Sequence, residues 1–161
     1  MSTTIISNTL SGNVGSIAIV PNLTQVTTSG TSISTIADIT IAGGYMPANG
    51  DQVTWAGFAT VDIGTGSGWN FQFYLNGSIA VSHSVSSGVG TTGGSWECKL
   101  VRKDSSNCLV CITLIMDKEV ENQAYEFGQL AGAPISLRVD ASVSNSSNSI
   151  TSLYNVVLYP Q

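Results

Sequence analysis

Apolar and polar residues alternate with a period of two over most of this chain, and that alternation predicts β-strands. The clearest runs are Ile33 to Ile41, Asp51 to Thr60, Trp69 to Leu75, Ser78 to Val85, Trp96 to Lys103, Cys108 to Met116, Gln123 to Leu130, Pro134 to Val143 and Ile150 to Tyr159. Asn76-Gly77 between two of them is a strong hairpin signal, because both residues accept the positive φ that a tight turn requires. No window of eleven or more residues keeps an i, i+3, i+4, i+7 apolar stripe, and Gly or β-branched residues interrupt each helical candidate.

About nine short strands with almost no helix predict an all-β fold, since each half-apolar sheet must cover its core face with another sheet. The Cys…Trp…Cys spacing of immunoglobulin domains is absent. About eight main strands suit two nested Greek keys, so a β-sandwich of jelly-roll type is expected over 36–161. Residues 1–35 are expected to be an uncharged N-terminal arm or strand extension, for which there are two readings: a plain flexible tail, or an arm with the apolar pieces Ile5-Ile6 and Ile17-Ala18-Ile19-Val20 as its docking contacts.

Composition narrows the function. Ser, Thr, Asn and Gly supply 67 of the 161 residues, while charged residues are only 9%, so the surface must be largely hydroxyl and amide. A net charge of −5 with five Lys and Arg in total argues against nucleic acid as a partner. The longest near-continuous apolar run, Cys108 to Met116, is too short for a bilayer span, and no basic-then-apolar leader opens the sequence; neither membrane association nor secretion is expected. Three cysteines do not make a disulfide framework, which fits synthesis in a reducing cytoplasm. No charge occurs in residues 1–37 or 63–96, whereas ten of the fifteen charged residues lie between Glu97 and Glu126. Arg102-Lys103-Asp104 and the loop 117–121 are therefore expected at an exposed end.

Few residues suggest chemistry. His83 is the only histidine; period-two reading places it with Ile79, Val81 and Val85 on an inward face, and no G-x-S-x-G elbow accompanies it, so no catalytic residue is assigned. Cys108 and Cys111 form C-x-x-C inside a strand, where the sulfurs diverge; with a four-residue loop, 103–106, Cys98 would stand opposite Cys111. The two readings are buried hydrophobes or a zinc or redox site, and the geometry favours the first, so no metal or other cofactor is expected. Asp117, Glu119 and Glu121 read as a solvated loop, since Lys118 interrupts them and no Gly supplies an EF-hand turn. Asp51 and Asp62 are expected to serve turns. Of the aromatic residues Trp55, Trp69, Trp96, Tyr45, Tyr74, Tyr125, Tyr154 and Tyr159, most are flanked by strand-period apolar residues and read as core. Trp69, which follows the glycine-rich run 64–68, is the best candidate for an exposed glycan contact.

The run Tyr45-Met46-Pro47-Ala48-Asn49-Gly50-Asp51-Gln52-Val53-Thr54-Trp55-Ala56-Gly57 resembles the opening strand pair of many tailed-phage virion proteins. So do Phe73-Tyr74-Leu75-Asn76-Gly77, Gly94-Ser95-Trp96-Glu97, and the ending Ser149-Ile150-Thr151 with Val156-Val157-Leu158-Tyr159. The resemblance covers roughly Ile36 to the C-terminus; residues 1–35 lie outside it. It implies a jelly-roll-like module, often trimeric, of the kind found as capsid decorations, head fibres or tail-fibre tips, with no catalytic residues to carry over. The expectation is thus a non-enzymatic structural protein of a bacteriophage virion, a capsid decoration or cement protein. It would act as a homotrimer against the major capsid protein or another virion protein. The alternative is a receptor- or carbohydrate-binding module of a tail or head fibre, contacting a host surface glycan through the loops near Trp69 and 117–121.

Overall fold

A computed structural model describes residues 3–4, 17–22, 25–29, 31–116 and 119–160. Ten strands are present among them: β1 (Thr3–Thr4), β2 (Ile17–Asn22), β3 (Val26–Thr28), β4 (Ser34–Ile41), β5 (Gln52–Leu75), β6 (Ser78–Arg102), β7 (Asn107–Met116), β8 (Glu119–Gly128), β9 (Ile135–Val143) and β10 (Ser149–Pro160). They form two sheets packed as a jelly-roll-like β-sandwich, antiparallel throughout except for the short parallel pairing of β1 with β4.

The sequence pattern splits 51–75 and 78–103 into four strands, whereas the structure has two, of 24 and 25 residues. They make one long hairpin that runs through both sheets. The first half of β5 pairs with β10 on one side and with the second half of β6 on the other, in a front sheet ordered β2/β3, β10, β5, β6, β7, β8. The second half of β5 pairs with β9 and with the first half of β6, in a back sheet ordered β1, β4, β9, β5, β6. The ribbon changes sheets where 64–68 faces 86–90. Register shifts there between Ile63 and Ser67 and again between Ser67 and Trp69, and the glycines let the backbone bend without breaking the pairing.

Asn76 (φ 49°) and Gly77 (φ 82°) make the tight turn of this hairpin, as their sequence predicts. Gly50 (φ 92°) and Asp51 make the turn into β5, where the Asp51 carboxylate accepts from Ala48 N at 2.7 Å. The Gly-Asp pair of the resemblance is therefore a structural element.

The core is a run of aromatic rings between the sheets. Trp55 lies 5.7 Å from both Phe73 and Trp96; Phe71 joins Trp96 at 6.4 Å and Trp69 at 5.1 Å. Such tilted and edge-on contacts add to area burial. Two glycines make room for them: a Cβ on Gly57 would overlap the Trp96 ring, and one on Gly94 would meet Phe71 at 2.8 Å and Trp69 at 3.0 Å. The Trp55 indole donates to Asn155 Oδ1 at 3.1 Å, so its one polar atom is satisfied inside the core.

Three local expectations are corrected. A bulge between Phe73 and Tyr74 pairs Tyr74 with Ile79, which reverses the parity of the strand start and leaves Ile79 exposed rather than inward. In the next hairpin Arg102 pairs with Cys108, one residue away from the register expected for a four-residue loop; Cys98 consequently stands opposite Ile112, and Cys111 opposite Lys99. That single step puts Cys98 in the core and Cys111 on the outside. Arg102 is buried, not at an exposed end. Its Nε donates to Met46 O at 3.2 Å and its Nη1 to Gln129 O, tying the turn before β5 to the segment after β8.

Candidate functional site

On β7 the inner face carries Cys108, Val110, Ile112, Leu114 and Met116, all buried. Its outer face carries Leu109, Cys111, Thr113 and Ile115, and Leu109 and Ile115 are 44% and 42% exposed. The run Cys108 to Met116 is apolar on both faces, as a strand covered on both sides would be, but only one side is covered.

Register extends this outer face across the front sheet in four rows. Phe58, Ser95, Ile115 and Val120 form the first; Val156, Ala56, Glu97, Thr113 and Asn122 the second. Leu158, Thr54, Lys99, Cys111 and Ala124 form the third, and Gln52, Val101, Leu109 and Glu126 the fourth. Val120 is 55% exposed. Two shallow grooves cross the face: one of about 410 Å³ along Phe58, Glu97, Thr113 and Ile115, the other of about 380 Å³ along Lys99, Val101, Leu109 and Cys111. Three charges stand on it, and one of them, Glu126, is engaged by Lys103 Nζ at 2.5 Å. That hydrogen bond raises the Lys103 pKa above its ordinary value.

The outer face of the back sheet is different in kind. Asn70 accepts from Ser84 at 3.0 Å, Asp140 accepts from Thr35 at 2.8 Å and lies 3.0 Å from Arg138 Nε, and the Arg138 guanidinium sits 4.0 Å above the Tyr74 ring. At the end of that sheet Thr31, Asn70, Ser84, Ser142 and Ser144 line a cleft of about 320 Å³.

Trp69, expected to be exposed, is only 2% accessible. The ribbon bend turns it inward onto Phe71 and Gly94, so only its edge borders that cleft; its indole N–H is buried without a hydrogen-bond partner among the described residues. His83 keeps its inward position, half-buried on the edge strand of the back sheet. Its Nε2 lies 2.6 Å from Glu119 Oε2 and its Nδ1 3.9 Å from Glu121 Oε2. Both glutamates stand on β8, on the face shared with Met116 and Leu114, so they belong to a strand rather than a loop and the contact ties the two sheet edges together. Asp117 lies outside the described residues.

Burial pushes the Cys98 thiol far above its ordinary pKa, and burial also raises Cys108. Neither favours a thiolate. Cys98 and Cys111 open onto opposite faces, and among the described residues no group of three or more His, Cys, Asp or Glu is arranged to hold a metal ion.

Of the docking residues expected in the N-terminal segment, Ile5 and Ile6 lie outside the described residues. Ile17, Ile19 and Val20 belong to β2, whose backbone pairs with β10 from Asn155 to Pro160; their side chains lie outside the described set. The tyrosines Tyr154 and Tyr159 are likewise on β10, with side chains outside the described set.

No protein-family model matches the chain, and no curated protein does. Among solved structures it is similar to dimeric latent PorU from Porphyromonas gingivalis (TM-score 0.40, 11% identity), covering 98% of this chain and 14% of that one. It is also similar to the CBM2 module of the evolved Dit of Lactobacillus casei BL23 phage J-1 (TM-score 0.36, 12% identity, 76% of this chain and 67% of that one). A third likeness is to the metal-free carbohydrate recognition domain of Emp46p (TM-score 0.43, 11% identity, 91% and 88% covered). The chain thus spans only a small part of PorU's length. The strand pairing itself defines the sandwich.

Proposed function

We propose that this chain is a non-enzymatic structural protein of a tailed-phage virion, a capsid decoration module that works through protein contacts on the particle surface. The observation that supports it best is the outer face of the front sheet. Leu109, Ile115 and Val120 are open to solvent there beside the half-buried Phe58, Val101 and Val156, with few charges to desolvate on contact. The resemblance in the turn and strand 45–57 points to the same kind of protein. Quantitative mass spectrometry and immunogold labelling of tailed particles from the host carrying this gene are expected to find the chain in many copies per capsid. Particles that lack it would overturn the reading.

A second reading is a carbohydrate-binding module, favoured by the hydroxyl- and amide-lined cleft of Asn70, Ser84, Ser142 and Ser144. On that reading a glycan array gives signals that Asn70→Ala removes. A blank array with folded protein would end it.

A further inference from the structure

We infer that the outer face of the front sheet seats a second copy of this chain, packed face to face about a two-fold axis that crosses the strands between Glu97 and Lys99. This rests on the proposed function only in treating that face as an assembly surface. The pattern on the face is self-complementary. An in-plane two-fold axis perpendicular to the strands keeps each strand over its own copy and reverses its direction. The second row then meets the partner's third row, and the first row its fourth.

On β6 this sets Glu97 against the partner's Lys99, and Lys99 against the partner's Glu97; the face's one acid–base pair on its middle strand is satisfied twice. On β7 it sets Ile115 over the partner's Leu109 and the reverse, so exposed aliphatic groups meet each other. On β8 the same axis sets Val120 over the partner's Glu126, whose carboxylate Lys103 already holds. Area agrees. Five strands at about 4.8 Å spacing and four rows spanning about 27 Å give roughly 600 Å² per copy, or roughly 1,200 Å² in total, the lower end for a stable interface. Aligned sheet packing accommodates such a contact, with strand directions offset by about 30°. The assembly so defined is two-fold, in place of the three-fold one that the resemblance implies.

Charge reversal tests this without touching the core. In analytical ultracentrifugation over a micromolar concentration series, the full-length protein is expected to form a dimer. Glu97→Lys alone and Lys99→Glu alone each set like charges face to face and are expected to weaken it by about tenfold or more. The double variant restores the pairing, and an equimolar mixture of the two single variants forms a heterodimer. A protein monomeric throughout the series, or an oligomer indifferent to both reversals, would overturn the inference. Particle labelling is read separately: a monomer that still decorates capsids ends the two-fold interface and leaves the virion reading standing, whereas a charge-dependent dimer absent from particles does the opposite.

Discussion

The two outer faces of this sandwich are built on the same kind of strand and serve different ends. Behind both lies one aromatic core, and both present alternate residues outward. On the back sheet several of those residues satisfy one another, Thr35 with Asp140, Ser84 with Asn70, Tyr74 with Gln72 at 2.9 Å, while Ile79 stands exposed beside the hairpin turn. On the front sheet one such pair, Thr113 donating to Asn122 at 2.8 Å, stands among the exposed apolar groups Leu109, Ile115 and Val120. Alternation fixes only the residues that face the core; the opposite face is free to be a solvated surface or a contact surface, and here one molecule carries each.

The largest expected effect tests the shared core. Gly57 lies in the front sheet directly on the Trp96 ring, and the ring cannot retreat because Trp55 and Phe71 pack against it. Gly57→Ala should therefore destabilise by about 3 kcal/mol through overpacking, read as a lower midpoint in urea unfolding. An unchanged midpoint would mean that the core repacks freely.

The next experiment separates the faces. Asp140 is buried and accepts from Thr35, so Asp140→Ala leaves a donor unmet on the back sheet and should cost about 1–3 kcal/mol. Leu109→Ser and Ile115→Ser on the front sheet, measured in the monomer, should each cost less, about 1 kcal/mol, since nearly half of each side chain is already in water. If the front-face substitutions cost as much as Asp140→Ala, the contrast between the faces fails.

Much of this was legible in the sequence because local chemistry decided it. The Asn76-Gly77 turn, the inward Trp55 and Trp96, the inward His83 and the turn made by Asp51 all follow from residue type and parity. What was not legible depends on a single residue of register or on an element far away. One step in the 103–107 loop moved Cys111 to the outside, and one bulge moved Ile79. The glycine-rich run 64–68 read as a flexible loop exposing Trp69, yet the facing run 86–90 makes it the bend of a continuous ribbon. The front face had a signal in its own strand: 108–116 is apolar at both parities, which asks for two covers where the fold supplies one.

The cysteines probe the two sides of the front sheet with one reagent. Cys111 is exposed, while Cys98 and Cys108 are buried and their thiols are raised in pKa by that burial. A thiol reagent at mildly alkaline pH should label Cys111 in the monomer, at concentrations below those at which the two-fold contact forms, and reach the other two only in denaturant. Linkage has a definite sign here. A Cys98 pKa raised on folding contributes stability below the ordinary thiol value of about 8.5, and loses it as pH rises past that value, because only the unfolded chain then releases the proton. Cys98→Val should flatten that alkaline decline.

The smallest expected effect lies where the sheets meet at their edges. His83 and Glu119 join the first half of β6 to β8, strands that share no backbone pairing, and Glu121 stands close by. Because Glu119 is more than half exposed, water screens the contact, and Glu119→Gln should cost no more than about 1 kcal/mol. The informative readout is local rather than global: hydrogen exchange along β8 should quicken while β9 and the core half of β5 stay protected. Since β8 is the outermost strand of the contact face, a loosened edge should also weaken the two-fold dimer slightly, and far less than reversal of Glu97 or Lys99. A Glu119→Gln effect on association as large as those reversals would place the contact at the β8 edge instead of on the face.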